Sequence, residues 1–236
     1  MAKKLGFGFM RLPLLDSNDE KNIDIEQVNK MVDTFLERGF TYFDTAYMYH
    51  GFTSETTLRE TLVKRHPRNT FTVATKMPTM FLKEKGDLER IFQEQLEKTG
   101  AGYFDYYLLH NLNANDIDVA EKLDAFGFVL QKKQEGLIRH VGFSFHDSAE
   151  LLDQILTRHP EVDFVQIQLN YLDWENKSIQ SGKCYETIVK HGKQVIVMEP
   201  VKGGTLAEVP PDAASLLKKE NPEASIPSWA IRFAAS

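Results

Sequence analysis

Four polar side chains stand at or just beyond the ends of short apolar runs: Asp44 and then Tyr49 after TYFD, Lys76 closing TFTVATK, and His110 closing FDYYLLH. A carboxylate, a phenol, an ammonium and an imidazole gathered on one rim could give a proton to an oxygen that becomes an alkoxide as a hydride arrives. In that arrangement Asp44 holds the Lys76 ammonium, and the ammonium favours the phenolate of a neighbouring tyrosine, making that phenol a readier donor. His110 can hydrogen-bond the substrate carbonyl and orient it. The pairing needs shelter, because two unit charges about 4 Å apart attract by about 1 kcal/mol in water and about 4 kcal/mol at an effective dielectric near 20. Tyr47 and Tyr49 compete for the part of the donor.

The elements that must position these groups can be read from periodicity. Short apolar runs recur at 5–9, 41–44, 70–76, 104–110, 140–145, 164–169 and 194–199, giving seven strand candidates separated by amphipathic sequence. The first intervening segment puts Ile25, Val28, Val32, Phe35 and Leu36 on one helical face, with Asp24 as N-cap, Gln27 three positions on and Gly39 just past the end. The same pattern returns with Leu88, Ile91, Phe92 and Leu96 before Gly100, and with Leu151, Leu152, Ile155 and Leu156 after Asp147 and its partner Glu150.

Strand and helix alternating in this way give either a doubly wound open sheet or a closed (β/α)8 barrel. The first is disfavoured, since no Gly-x-Gly-x-x-Gly turn follows any strand; the nearest glycine pair, Gly203 and Gly204, follows the seventh. A TIM-type barrel with its polar strand ends on one rim is the expected fold. The chain stops at Ser236, in or just after a helix opened by Pro227 and carrying Trp229, Ile231 and Phe233, where an eighth strand is expected next. The expectation is therefore one barrel domain over residues 1–236, incomplete at its C-terminal end, with its first and seventh strands as open edges.

Composition narrows the partners. With 236 residues and 42% hydrophobic content the chain can bury one large core. A net charge of -6 and the lack of any dense basic run argue against nucleic acid. The lone cysteine, Cys184, allows no internal disulfide and no cysteine-built zinc or iron–sulfur site, and reads as a small apolar residue. His110, His140 and His146 lack tight ligand spacing with carboxylates, so no metal is expected and a metal-dependent hydrolase is a poor fit. Lys3 and Lys4 precede only a brief apolar run without a cleavage pattern, and no run approaches the roughly 18 residues of a membrane helix. No membrane partner and a cytoplasmic location are expected.

Taken in order and spacing, FDTAYMYHGFTSE, VATKMP, YYLLHNL and VGFSFH resemble the Asp, Tyr, Lys and His segments of the aldo-keto reductases, over essentially the whole chain. The resemblance implies reduction of a small aldehyde or ketone by hydride transfer from NAD(P)H. It assigns the general acid to Tyr49, with Asp44, Lys76 and His110 completing a tetrad, and leaves Tyr47 a packing or substrate-pocket role. It further implies that Ser144 and Gln166 hydrogen-bond the nicotinamide carboxamide, and that Met198 occupies the position from which the family usually stacks an aromatic ring on the nicotinamide. Lys202 and Gly203, in EPVKGG, would face the pyrophosphate. After Ser144 the family commonly has an asparagine, whereas this chain has Phe145 and His146. NADPH is expected ahead of NADH, although the groups that choose between them lie beyond the family's eighth strand. The stretches at 46–49, 143–146 and 198–204 resemble most the branch that adds a C-terminal iron–sulfur extension, which this sequence does not contain. A nicotinamide-sensing regulatory module with little turnover is the alternative reading.

Overall fold

Phe7 in strand β1 (Gly6–Gly8), Phe35 in helix α1 (Ile25–Glu37) and Phe43 in strand β2 (Tyr42–Asp44) meet as rings, Phe35 lying 5.6 Å from Phe7 and 5.1 Å from Phe43. These contacts dock the amphipathic face of α1, through Val28, Val32 and Phe35, against the start of the sheet. Asp24 caps α1 by accepting the Gln27 amide at 2.9 Å, and Gly39 follows the helix at φ 76°. Both ends lie where the sequence marks them.

The computed structural model describes residues 3–236. Its contacts group into two compact units, the first running to Phe143 and the second from Ser144 to Ser236. The described residues contain seven strands, and their order in the sheet follows the chain.

In the first unit, β2 leads into two short helices, α2 (Tyr49–Phe52) and α3 (Ser54–Leu58), the latter continuing as a π-helical turn over Arg59–Val63. Strand β3 (Thr72–Met77), helix α4 (Gly86–Thr99), strand β4 (Phe104–Leu112), helices α5 (Ile117–Lys122) and α6 (Ala125–Gln134) and most of strand β5 (Ile138–Phe145) follow. β1 to β4 pair in parallel, with Phe43 beside Val73 and Lys76 beside Leu108. Strand limits differ from the apolar runs by a few residues. Thr70 is taken up in a 3-10 turn, its amide and hydroxyl both donating to the Pro67 carbonyl, so β3 starts at Thr72; β4 runs two residues past His110 to Leu112.

At the N-terminal ends of β3 and β4, buried Asp105 accepts Arg68 at 2.6 Å, Arg139 at 3.1 Å and the Val73 amide at 2.9 Å, while both guanidinium groups lie over the Tyr103 ring. This is a charge-assisted clamp on the end of the sheet opposite the polar strand ends.

In the second unit, helix α7 (Ala149–Arg158), strand β6 (Phe164–Gln168), helix α8 (Ser181–Lys190), strand β7 (Gln194–Met198) and helices α9 (Pro211–Glu220) and α10 (Ile226–Ala235) succeed one another. β6 and β7 are parallel, with Gln166 beside Ile196 and Gln168 beside Met198. The cap of α7 is Ser148 rather than Asp147: Ser148 has the extended backbone a cap requires, and its hydroxyl accepts the Leu151 amide at 3.4 Å. Asp147 sits one residue too early and accepts the Ser148 amide instead, at 2.6 Å. No helix among the described residues is long and apolar enough to cross a membrane.

Candidate active site

Side chains alternate across a strand, so the parallel registers decide which residues meet. Asp44 pairs with Ala74, two positions from Lys76; Lys76 pairs with Leu108, two positions from His110. Asp44, Lys76 and His110 therefore share one face and lie toward the C-terminal ends of their strands, while Phe43, Val73 and Thr75 point the other way. Tyr49 joins them from the segment after β2. That segment is held by the Thr45 amide on Ala74, by the Thr45–Ser54 hydroxyl contact at 2.8 Å, and by Ser54 donating to the Phe9 carbonyl at 3.1 Å.

The ammonium of Lys76 is the centre of the group. It donates to Asp44 Oδ1 at 2.5 Å, to the Thr45 carbonyl at 2.8 Å and to the Tyr49 hydroxyl at 3.4 Å, and the residue is only 1% exposed. Burial works against its charge, but the Asp44 carboxylate and the Tyr49 oxygen outweigh burial, and the Lys76 pKa is raised above its ordinary value. The Tyr49 ring meets His110 edge to face at 5.9 Å. His110 is itself fixed through its carbonyl, which accepts the Thr79 hydroxyl at 2.6 Å. The phenol thus adjoins both the cation, which also holds its counter-ion Asp44, and the imidazole.

The two competing tyrosines separate. Tyr47 donates to Glu94 Oε2 at 3.0 Å, and the Lys98 ammonium lies 4.4 Å over its ring. Burial and then the Glu94 carboxylate raise its pKa. Its hydroxyl is committed to α4, and only Tyr49 of the pair reaches Lys76.

Two features near the tetrad were not anticipated from the sequence. Tyr49 is followed by three residues in the left-handed region, His50 (φ 51°), Gly51 (φ 57°) and Phe52 (φ 72°). For the two that carry a side chain this conformation costs about 1–2 kcal/mol each. Behind β3, on the face opposite Lys76, lies a buried polar network. Glu55 Oε1 accepts the Thr75 hydroxyl and the Gln95 amide, each at 2.6 Å; Gln95 also donates to the Lys76 carbonyl at 3.0 Å and accepts the Tyr107 hydroxyl at 2.5 Å. Glu55 is 0% exposed and its Oε2 has no partner. Burial, only partly opposed by the bonds from Thr75 and Gln95, raises its pKa from 4.5 to about 7. A signal was present: Thr75 and Tyr107 are polar groups at positions of β3 and β4 that alternation assigns to the helix-packed face.

The remaining candidates lie in the second unit. Ser144 in β5 and Gln166 in β6 are buried, and Met198 ends β7 beside Gln168. Gly203 and Gly204 hold φ of 62° and 101° in a 3-10 turn over Lys202–Ala207, where the Gly204 amide donates to the Val201 carbonyl. Lys202 is ion-paired with buried Asp173, which also accepts Gln168 at 2.7 Å and Asn170 at 2.8 Å. Burial favours the neutral form of Asp173, but Lys202 and the two amides overcome it and lower its pKa. His146 is shifted down by burial, against the pull of Glu199.

The profile of the Aldo/keto reductase family matches residues 4–235. The uncharacterized oxidoreductase YqkF of Bacillus subtilis (strain 168) is 25% identical over 227 residues, 92% of this chain and 67% of that protein. Among solved structures, the aldo-keto reductase AKR11C1 from Bacillus halodurans, in its holo form, superposes with a TM-score of 0.68 at 22% identity, covering 96% of this chain and 76% of that one. An aldo-keto reductase from Klebsiella pneumoniae in complex with NADPH gives 0.68 at 18% identity, covering 93% and 72%. These superpositions establish the expected α/β fold of the (β/α)8 class. With the family profile spanning nearly every residue, the chain belongs to the aldo/keto reductase family, a family of oxidoreductases.

Proposed function

We propose that the protein reduces an aldehyde or ketone to the alcohol with NAD(P)H, Tyr49 giving the proton. The observation that carries this reading is the buried Lys76 ammonium, bonded both to Asp44 and to the Tyr49 hydroxyl. At 3.4 Å the ammonium stands beside the phenol oxygen, where it can stabilise the negative charge that develops as the proton passes to an oxygen becoming an alkoxide. His110, against the edge of the Tyr49 ring, orients the carbonyl oxygen toward the phenol.

The donor set of the second unit suits a nicotinamide. The Ser144 hydroxyl and Gln166 amide match the donors and acceptors of a carboxamide, the Met198 thioether can lie against a ring, and Lys202 with the turn at Gly203 suits a pyrophosphate. Bound there, the nicotinamide supplies the hydride. NADPH is the proposed form, in keeping with the solved Klebsiella pneumoniae complex. We place the chain nearest the branch with an iron–sulfur extension. Its own cysteine contributes nothing to a cluster, since Cys184 is buried and its thiol is pushed up to about 11.

NADPH oxidation in the presence of nitrobenzaldehyde tests the assignment. Tyr49→Phe should lose kcat by ~10²-fold or more while the NADPH Kd, read by fluorescence quenching, stays within about twofold. Retained kcat in that variant would remove Tyr49 from the proton transfer.

A further inference from the structure

The left-handed turn after Tyr49 is not held by its own backbone alone. His50, buried within it, spans two backbone groups of the segment between β1 and α1: the Leu12 amide donates to His50 Nε2 at 3.1 Å, and His50 Nδ1 lies 2.7 Å from the Glu20 carbonyl. An amide can only donate and a carbonyl can only accept. The two contacts therefore demand one protonation pattern, a neutral imidazole with its hydrogen on Nδ1. An imidazolium would present N–H to N–H at Leu12, and the other tautomer would fail at both ends.

The segment that receives these bonds is itself ordered. Leu14 bridges Ile23, the Leu15 amide donates to Asn22 at 2.8 Å, and the Asp24 amide donates to Pro13 at 2.9 Å, so the ribbon runs directly into the cap of α1. Gly51 completes the seat, for a Cβ there would run into Lys21 and come within 3.1 Å of Glu20 Oε1. On the other side the His50 carbonyl accepts both the amide and the hydroxyl of Thr53, at 3.1 Å and 2.7 Å. The residue next to Tyr49 is thus tied at ring and backbone, in a conformation that side chains rarely adopt without such support.

We infer that His50 is a positioning residue for Tyr49: as the Nδ1–H tautomer it fastens the left-handed turn to the ribbon at residues 12–23 and so holds the phenol within reach of Lys76. The inference rests on the reading of Tyr49 as the acid. His50 acts through the backbone it pins.

Two measurements on the 236-residue chain test it. NMR of the His50 ring nitrogens at neutral pH should show Nδ1 protonated and Nε2 as an acceptor; the reverse tautomer, or a protonated ring, would overturn the clamp with no variant made and no activity needed. In the nitrobenzaldehyde assay, His50→Leu should lower kcat by about tenfold or more with NADPH Kd unchanged. His50→Gln, whose amide can accept from Leu12 and donate to Glu20, should recover most of it. A His50→Leu enzyme within twofold of wild type, or a His50→Gln enzyme as impaired as His50→Leu, would refute the positioning role. Tyr49→Phe is run alongside: if that variant keeps kcat, the acid assignment fails, and the tautomer measurement still judges the clamp. Should His50→Leu not fold, the tautomer and the His50→Gln rate decide.

Discussion

Replacing Glu55 by glutamine should make the protein more stable at about pH 8 and leave it nearly unchanged at about pH 4. Thr75, Gln95 and Tyr107 surround the carboxyl, with Glu94 and Lys98 acting on it from α4, and burial is the largest influence. In the unfolded chain Glu55 has its ordinary value of 4.5; in the folded protein it titrates at about 7. Between those values the unfolded chain has already released a proton that the folded chain still holds, so stability falls as pH rises from 4.5, and the loss is complete above 7. The separation, 7 − 4.5, at ~1.4 kcal/mol per pH unit, puts the loss at about 3 kcal/mol. In Glu55→Gln the new amide would have nearly the shape of the protonated acid: its carbonyl can accept Thr75 and Gln95, its NH2 takes the Oε2 position with one donor more than the acid's O–H, and it never ionises. Urea unfolding of both proteins between about pH 4 and pH 8 provides the assay. The two should coincide at the acid end and diverge by about 3 kcal/mol at the other, or about 6–12 °C in Tm for a chain of this size. Parallel profiles would show that Glu55 folds already ionised. A glutamine variant less stable at pH 8 would show that the network depends on the carboxylate.

Asp105→Ala removes the carboxylate shared by Arg68 and Arg139 and the acceptor of the buried Val73 amide, and should lower stability by about 3 kcal/mol in urea unfolding with the NADPH Kd little changed; a loss under 1 kcal/mol would demote the clamp. Lys202→Met should weaken NADPH about tenfold and flatten the salt dependence of its Kd, leaving the KM for nitrobenzaldehyde alone, and an unaltered Kd would confine Lys202 to its pair with Asp173. Cys184, buried and with its thiol pushed up to about 11 chiefly by burial, should react with Ellman's reagent at about pH 8 only after urea is added; prompt labelling of the native protein would contradict its placement.

Much of the architecture was legible because it depends on neighbours in the chain. Asp24 and Gln27 mark a helix start within one turn, Gly100 ends α4 in the left-handed conformation a glycine permits, and the runs at 41–44 and 104–110 are short, aromatic-rich strand segments. Where two caps were available, as at Asp147 and Ser148, sequence could not separate them, since only the backbone angle of the cap decides. Asp44, Lys76 and His110 could be grouped because each closes a strand-like run, while the parallel registers put them on one face.

Apart from the tetrad, where the resemblance supplied Tyr49, the partners could not be read, because each hydrogen bond that gives a side chain its task crosses the fold. Tyr47 and Tyr49 are two residues apart and chemically alike, yet one turns to Glu94 on α4 and the other to Lys76 on β3. Nothing local distinguishes Glu55 from a solvated helix carboxylate until α4 brings Gln95 over it, nor His50 from a loop histidine until the ribbon at 12–23 folds against it. The sequence by itself determined which polar groups stand at strand ends and where helices start. Tertiary structure alone decided which hydroxyl lies against the ammonium, which carboxyl has its pKa raised and which backbone groups face the His50 ring, because those outcomes depend on burial and on partners tens of residues away.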